Sequence, residues 1–131
     1  IYGIERVWKN GYVYNLQRRG ASFLSEGVMP HSTFFVANEV YKKYGAFDLS
    51  IKVLADYDFI SRCVSQGVRL EEVDTVISNF QLGGISSSYF AFYSDYYSIQ
   101  RKYNYITEKR YKELMFVLKI KKLVNKVVKR W

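Results

Sequence analysis

"VLADYDFISRCVSQG", residues 53–67, combines two aspartates with the clearest helical pattern in the first hundred residues of the chain. Four of its apolar residues share one helical face, because they follow i, i+1, i+4, i+5 spacing. They are Phe59, Ile60, Cys63 and Val64. Gly67 is a residue type that commonly stops a helix. The stretch therefore predicts a helix that begins near the aspartates and has one apolar face.

Asp56 and Asp58 fall in the first turn of this predicted helix, where two interpretations are open. A carboxylate there can cap the helix or gain from its dipole, and Asp58 can pair with Arg62 four residues later. Alternatively, a carboxylate at a helix N-terminus beside a cleft can act as a general base toward a hydroxyl within hydrogen-bond reach.

The sequence before the helix predicts strands and a second, shorter helix. "IYGIERVW" and "GYVYNLQ" are β-rich and are separated by a segment with Asn10 and Gly11, which accept positive φ and favour a hairpin. Residues 18–29 predict a loop, and "STFFVA" predicts a short buried strand. "NEVYKKYG" predicts a short helix that Asn38 caps and Gly45 ends.

The sequence after the helix predicts one or two strands over residues 68–82. Helix is then expected from about Tyr89 to the end, with a break near Asn104. This order of elements indicates an α/β or α+β chain, in which mixed strands with flanking helices occupy residues 1–100 and helices occupy residues 101–131.

Length and composition limit the class of protein. The chain has 131 residues, of which 49% are hydrophobic, enough for one packed core. It opens without Met and in what reads as a strand, so we expect a fragment of a longer protein; no signal peptide is visible. Cys63 is the single cysteine, which is compatible with a reducing cytoplasm. No apolar run approaches the roughly 20 residues needed to span a membrane.

The net charge of +8 is concentrated near the C-terminus. Residues 1–100 contain nine Lys/Arg and ten Asp/Glu, a balance of −1, whereas residues 101–131 contain eleven and two, a balance of +9. This distribution argues against a general nucleic-acid surface on the main domain, and the sequence predicts no nucleic-acid partner.

His31 and the loop "GGISSS" each have two interpretations. His31, the only histidine, is either a hydrogen-bonded residue at a strand entrance or a pocket donor to a substrate oxygen or phosphate. The loop contains Gly83, Gly84 and Ser86, and is either a flexible turn or a close backbone approach to a ligand. It has neither P-loop nor GxGxxG spacing.

The order of these motifs resembles that of a known family. "MPHSTFFVANEVYKKYGAFDLSIKVLADYDFISRCVSQG" followed by "VISNFQLGGISSS" resembles the C-terminal, acceptor-side half of family 2 glycosyltransferases with the GT-A fold. The opening "IYG" also resembles their Tyr-Gly-Asp strand. The resemblance covers roughly residues 1–100 and has two departures. Ala46 stands where Gly is common, and Ile4 stands where Asp is frequent.

The resemblance implies a partial GT-A-like fold and an inverting transfer of a sugar from a nucleotide-sugar to a saccharide or lipid-linked acceptor, in cell-surface polysaccharide synthesis. Asp56 matches the catalytic base. The candidate acceptor-binding residues are His31, Ser32, Tyr57, Gly83, Gly84 and Ser86.

A divalent metal, Mn or Mg, is expected in the full-length enzyme, but the family's N-terminal nucleotide-binding half and its Asp-x-Asp metal motif have no counterpart here. We therefore expect this fragment alone to be inactive and to bind no metal. A non-catalytic binding or scaffold module that retains the fold is the alternative.

Residues 101–131 predict a basic amphipathic helical tail. Its apolar residues recur in one helical stripe. They are Phe116, Val117, Ile120, Leu123, Val124, Val127, Val128 and Trp131, with Lys119, Lys121, Lys122, Lys126, Lys129 and Arg130 filling much of the remaining surface. Docking of residues 113–131 on an anionic membrane surface is the first hypothesis, and it implies a cytoplasmic protein peripheral to the inner face of the membrane. Packing on this domain, on the missing half or on a second copy in a homodimer are the others.

Overall fold

A computed structural model describes residues 1–82 and 89–128, which form a three-stranded mixed sheet and four α-helices. The elements, in chain order, are β1 (Tyr2–Lys9), β2 (Tyr12–Gln17), α1 (Asn38–Tyr44), α2 (Ala55–Ser65), β3 (Glu72–Gln81), α3 (Tyr89–Lys102) and α4 (Glu108–Val128). Two short 3-10 turns, Ala21–Ser25 and His31–Thr33, lie between β2 and α1. The predicted mixture of strands and helices is confirmed at this level.

The sheet has the order β2-β1-β3, with β2 antiparallel and β3 parallel to the central β1. Asn10 and Gly11 have φ values of 52° and 82°, so the predicted hairpin is confirmed. Because β1 lies between β2 and β3, the chain that connects those two strands passes β1, and it carries α1 and α2. Residues 68–82 supply one strand, β3.

The core lies around α2, whose predicted apolar face is confirmed. Three of its four apolar residues are buried, and the fourth, Val64, is half-buried. The buried residues of the cluster are Tyr2, Leu24, Met29, Leu54, Tyr57, Phe59, Ile60, Cys63 and Ile99. Gly67, with φ 82°, follows the last turn of the helix. The first turn of α2 is thus held against a packed core.

Two predictions between β2 and α2 are wrong. "STFFVA" forms no strand, because its start folds into the 3-10 turn His31–Thr33, in which Thr33 Oγ1 donates to the Pro30 carbonyl at 2.8 Å. Such local bonds compete with a sheet ladder. Asn38 is the first helical residue of α1 and makes no capping bond; Ala37 holds the N-cap position. Gly45, with φ 81°, ends α1 as predicted.

The C-terminal helices break where the sequence predicted. Asn104, with φ 58°, lies between α3 and α4. Ile99 and Gln100 of α3 are buried against the core, and α4 packs on α3. Among the described residues, no helix is both long enough and apolar enough to cross a bilayer.

Candidate functional site

His31 and Asp56, both named from the sequence, lie in direct contact. His31 Nδ1 is 2.7 Å from Asp56 Oδ2. The 3-10 turn presents the imidazole, and the second residue of α2 presents the carboxylate. The His31 side chain is 57% exposed and that of Asp56 is 20% exposed, so the pair faces solvent while its carboxylate is held in place.

The contact with Asp56 changes the pKa of His31. The hydrogen bond to Asp56 raises the pKa of His31 above its ordinary value, and burial opposes part of this rise. Charge attraction to Asp56, and then to Glu5, adds to it. The imidazole is therefore more basic than in a free peptide, since the carboxylate stabilises its protonated form.

A buried carboxylate that sequence reasoning missed lies behind this pair. Glu5, in the central strand β1, is only 5% exposed and accepts a hydrogen bond from Ser32 Oγ. The Ser32 hydroxyl is also 2.8 Å from that of Ser78 on β3. One signal was available: Glu5 directly follows Ile4, which occupies the position where the family frequently has Asp.

The His31–Asp56 pair borders a cleft of about 160 Å³. Its other lining residues are all aromatic or aliphatic: Phe34, Val36, Tyr41, Phe47, Phe59 and Ile60. Tyr41 stacks on Phe59 with ring centroids 4.9 Å apart. A concave apolar wall with a few polar groups at one edge is the usual form of a small-molecule site. A neighbouring cleft of about 170 Å³ has no carboxylate or histidine among its described lining residues, so we place the candidate chemistry at the smaller one.

The turn that carries Phe47 into the cleft is fixed by Arg62. Arg62 Nη2 donates to the Ala46 carbonyl at 2.7 Å, and its guanidinium lies over the Phe59 ring. A Cβ added to Gly45 would come within 3.3 Å of Arg62 Nη1. One side chain of α2 thus positions the segment at 45–48 that the resemblance identified.

Tyr57 lies behind the cleft, although the sequence predicted that it would form a wall. It is fully buried, and its hydroxyl donates to the Leu24 carbonyl and accepts from Gln100 Nε2 at 2.7 Å. Burial raises its pKa. Tyr57 therefore supports α2 from the core. The predicted loop residues Gly83, Gly84 and Ser86 lie outside the described residues.

Asp58 points away from Asp56 and into the protein. Its Oδ1 accepts from Lys102 Nζ at 2.7 Å and from Tyr103 Oη at 3.0 Å, whereas the predicted partner Arg62 is 3.8 Å from Oδ2. The stronger contacts thus come from the end of α3, which sequence reasoning did not predict. Asp58 is therefore buried and joins α2 to the end of α3 through these hydrogen bonds.

A third aspartate holds the start of α2. Asp95 of α3 accepts hydrogen bonds from the backbone amides of Val53 at 2.8 Å and Leu54 at 3.4 Å. These amides precede the helix, and α2 has no side-chain cap of its own. Asp95 therefore fixes the segment that delivers Asp56 to the cleft.

The described residues do not fit the divalent metal that the resemblance implies. Within residues 1–82 and 89–128, no group of three His, Cys, Asp or Glu side chains is placed to hold a metal ion. Asp56 and Asp58 diverge, so their carboxylates cannot share one ion.

Comparisons with protein-family models, curated proteins and solved structures return no match.

Proposed function

We propose that this chain is the acceptor-side part of an inverting glycosyltransferase, in which Asp56 is the general base. The motif order supports the family assignment. The observation that carries the proposal is the Asp56 carboxylate, bound to His31 at 2.7 Å and partly exposed at the rim of an aromatic cleft. A base must combine a fixed position with access to its substrate, and Asp56 has both.

In the proposed reaction, an acceptor hydroxyl lies in the cleft and donates its proton to Asp56. As the proton leaves, the hydroxyl oxygen forms a bond to the anomeric carbon of the donor sugar. The bond between that carbon and the leaving diphosphate breaks, and its electron pair departs with the diphosphate. His31 orients the carboxylate through Nδ1, and the apolar cleft wall limits water near the attacking oxygen.

The donor side of the reaction is proposed to come from a longer protein. The acceptor class remains that expected from the sequence, a saccharide or lipid-linked saccharide, and the donor is a nucleotide-sugar. Because the described residues do not fit a divalent ion, no step of the proposed chemistry on this chain runs through one. The proposed work of the chain is to bind the acceptor, orient its hydroxyl and accept its proton.

The first prediction tests Asp56 in the full-length protein. Asp56→Asn should reduce turnover about 100-fold or more, because an amide cannot accept the proton. The acceptor KM should change much less, since the cleft wall is untouched. The measurement is steady-state transfer from a panel of nucleotide-sugars, with circular dichroism to compare folding.

Asp58→Asn is the matched control, because it makes the same chemical change two residues away in a buried position. It should retain turnover per folded molecule within a few-fold. Activity that survives in Asp56→Asn and vanishes in Asp58→Asn would contradict the assignment. A wild-type protein that binds saccharide but transfers no sugar would favour the non-catalytic module.

A further inference from the structure

The second half of α4 presents a continuous apolar surface to solvent. Leu118 is buried against the rest of the protein, but residues 119–128 are all exposed. Seven apolar side chains of α4 are 45–65% exposed. They are Phe116, Val117, Ile120, Leu123, Val124, Val127 and Val128, and we call them the α4 stripe. An exposed apolar patch of this kind marks an interaction site.

Most of the α4 stripe lies away from the face that packs on α3, although Val117 and Leu123 border cavities that α3 side chains also line. At 100° per residue, its members span roughly 140° of the helix circumference, and Leu118 lies about 150° from their centre. The helix can therefore keep its contact with α3 while the stripe meets a second surface. A helical segment of ten residues without tertiary packing is marginal in water, so such a surface would also stabilise it.

Beside residues 119–128 of the α4 stripe the charges all have one sign, and the acid one turn before the stripe, Glu113, is paired with Arg110 at 3.3 Å. Residues 119–128 contain four lysines and no acidic residue. At 100° per residue, Lys119 and Lys126 lie about 40–60° beyond one edge of the stripe, and Lys121 lies about 20° beyond the other edge, 3.2 Å from the Tyr89 hydroxyl. The complementary surface is therefore apolar at its centre and anionic at its edges.

We propose that the α4 stripe and its lysines dock the protein on an anionic lipid surface. The helix would lie in the plane of the membrane, with the stripe in the boundary between headgroups and acyl chains. The lysines would then meet acidic headgroups, each strengthening binding about fivefold. This inference does not depend on the chemistry at Asp56.

Charge favours this occupant over a second copy of the chain. Two α4 stripes packed against each other would bring the lysine edges of both helices together, and residues 119–128 offer no acid to compensate. Like charges at such positions are destabilising. A lipid surface that contains acidic headgroups supplies both the apolar layer and the missing negative charge.

The experiment is co-sedimentation of the full-length protein with vesicles. One set contains phosphatidylcholine mixed with phosphatidylglycerol, and the other contains phosphatidylcholine alone. We expect binding to the mixed vesicles that weakens with added salt, because salt screens exposed charges. A second measurement, analytical ultracentrifugation without lipid, reports the oligomeric state.

Two variants separate the apolar and charged contributions. Leu123→Ser with Val127→Ser removes part of the stripe, and should lower vesicle affinity at least tenfold. Changing the three edge lysines Lys119, Lys121 and Lys126 to Gln should lower it about 100-fold. The matched controls are Leu49→Ser, at a 95% exposed leucine, and the triple Gln variant of Lys42, Lys43 and Lys52, and both should bind like wild type.

Three outcomes would overturn the proposal. The first is no sedimentation of the wild-type protein with mixed vesicles. The second is an equal loss of affinity in the lysine control, because binding would then follow net charge and not the α4 surface. The third is a dimer in lipid-free solution that the stripe variant dissociates while its vesicle binding stays unchanged.

Discussion

A 2.7 Å hydrogen bond joins Nδ1 of His31 to Oδ2 of Asp56. The carboxylate raises the pKa of His31 in the folded protein. Below about pH 6.5, the ordinary value, the imidazole is protonated in both folded and unfolded states, and the pair contributes its full stability. As the pH rises through the raised folded-state pKa, that contribution is lost.

The second prediction follows from this linkage. Asp56→Asn should lower the pKa of His31 toward its ordinary value, because the amide lacks the charge that stabilises the imidazolium. His31 is the only histidine, so its ring resonances in an NMR titration are assigned without ambiguity. Asp58→Asn is the control and should leave the His31 pKa close to that of wild type. An unchanged His31 pKa in Asp56→Asn would mean that the pair does not form in solution.

The His31–Asp56 pair should also make the free energy of unfolding depend on pH. The wild-type protein should exceed His31→Gln in free energy of unfolding most at acidic pH. The difference should shrink as the pH rises through the raised pKa of His31. Urea titrations at a series of pH values measure this difference, and a difference that grows with pH would contradict the assigned sign.

Among the elements, α2 shows what the sequence could predict and what it could not. Its length, apolar face and end follow from local spacing and from Gly67, so these features were predictable. Its attachments to α3 were not, because they join residues about forty positions apart. Asp95 holds the amides before α2, and Asp58 receives Lys102 and Tyr103. Nothing in a local pattern distinguishes such an aspartate from an exposed first-turn acid.

The third prediction tests the attachment of α2 to α3. Asp58 is fully buried, and Asp58→Ala leaves the Tyr103 hydroxyl and the Lys102 ammonium without their acceptor. The free energy of unfolding should fall by about 1–3 kcal/mol, at the lower end if water reaches the half-exposed Lys102. Denaturant unfolding followed by circular dichroism measures the change.

Asp74→Ala is the matched control for this attachment. Asp74 pairs with Arg18 on the surface, and its side chain is 78% exposed. Exposed ion pairs contribute little to stability, so this variant should unfold close to wild type. Equal losses in the two variants would show that Asp58 contributes no more than a surface charge.

The whole molecule places its candidate chemistry and its charge in different regions. The cleft with Asp56 belongs to residues 1–100, which are nearly neutral, and the lysines of α4 belong to the basic C-terminal helices. The uneven distribution of charged residues between 1–100 and 101–131 indicated this separation of the charge from the sequence alone. The sequence also named His31 and Asp56 separately, but their contact depends on a 3-10 turn that the strand prediction for "STFFVA" excluded. The contacts of buried Glu5 and half-buried Ser78 with Ser32 were missed because Glu5 and Ser78 come together only when β1 pairs with β3.

The fourth prediction concerns what the 131-residue chain can bind by itself. A nucleotide-sugar presents a diphosphate, which proteins hold with clustered cations, a metal ion or helix N-terminal amides. Of the described residues that line the cleft, Asp56 is the one carboxylate and is paired with the one imidazole, and the rest of the wall is aromatic or aliphatic. A diphosphate would meet neither clustered cations among these lining residues nor a metal-binding group among the described residues, whereas a neutral saccharide needs neither. Isothermal titration with UDP-, GDP- and TDP-sugars in the presence of Mn²⁺ should therefore give a Kd weaker than about 1 mM. The proposed longer protein that contains this chain is the positive control and should bind at least one donor more tightly. Tight, metal-dependent binding by the 131-residue chain would place a donor site within these residues and contradict the acceptor-side assignment.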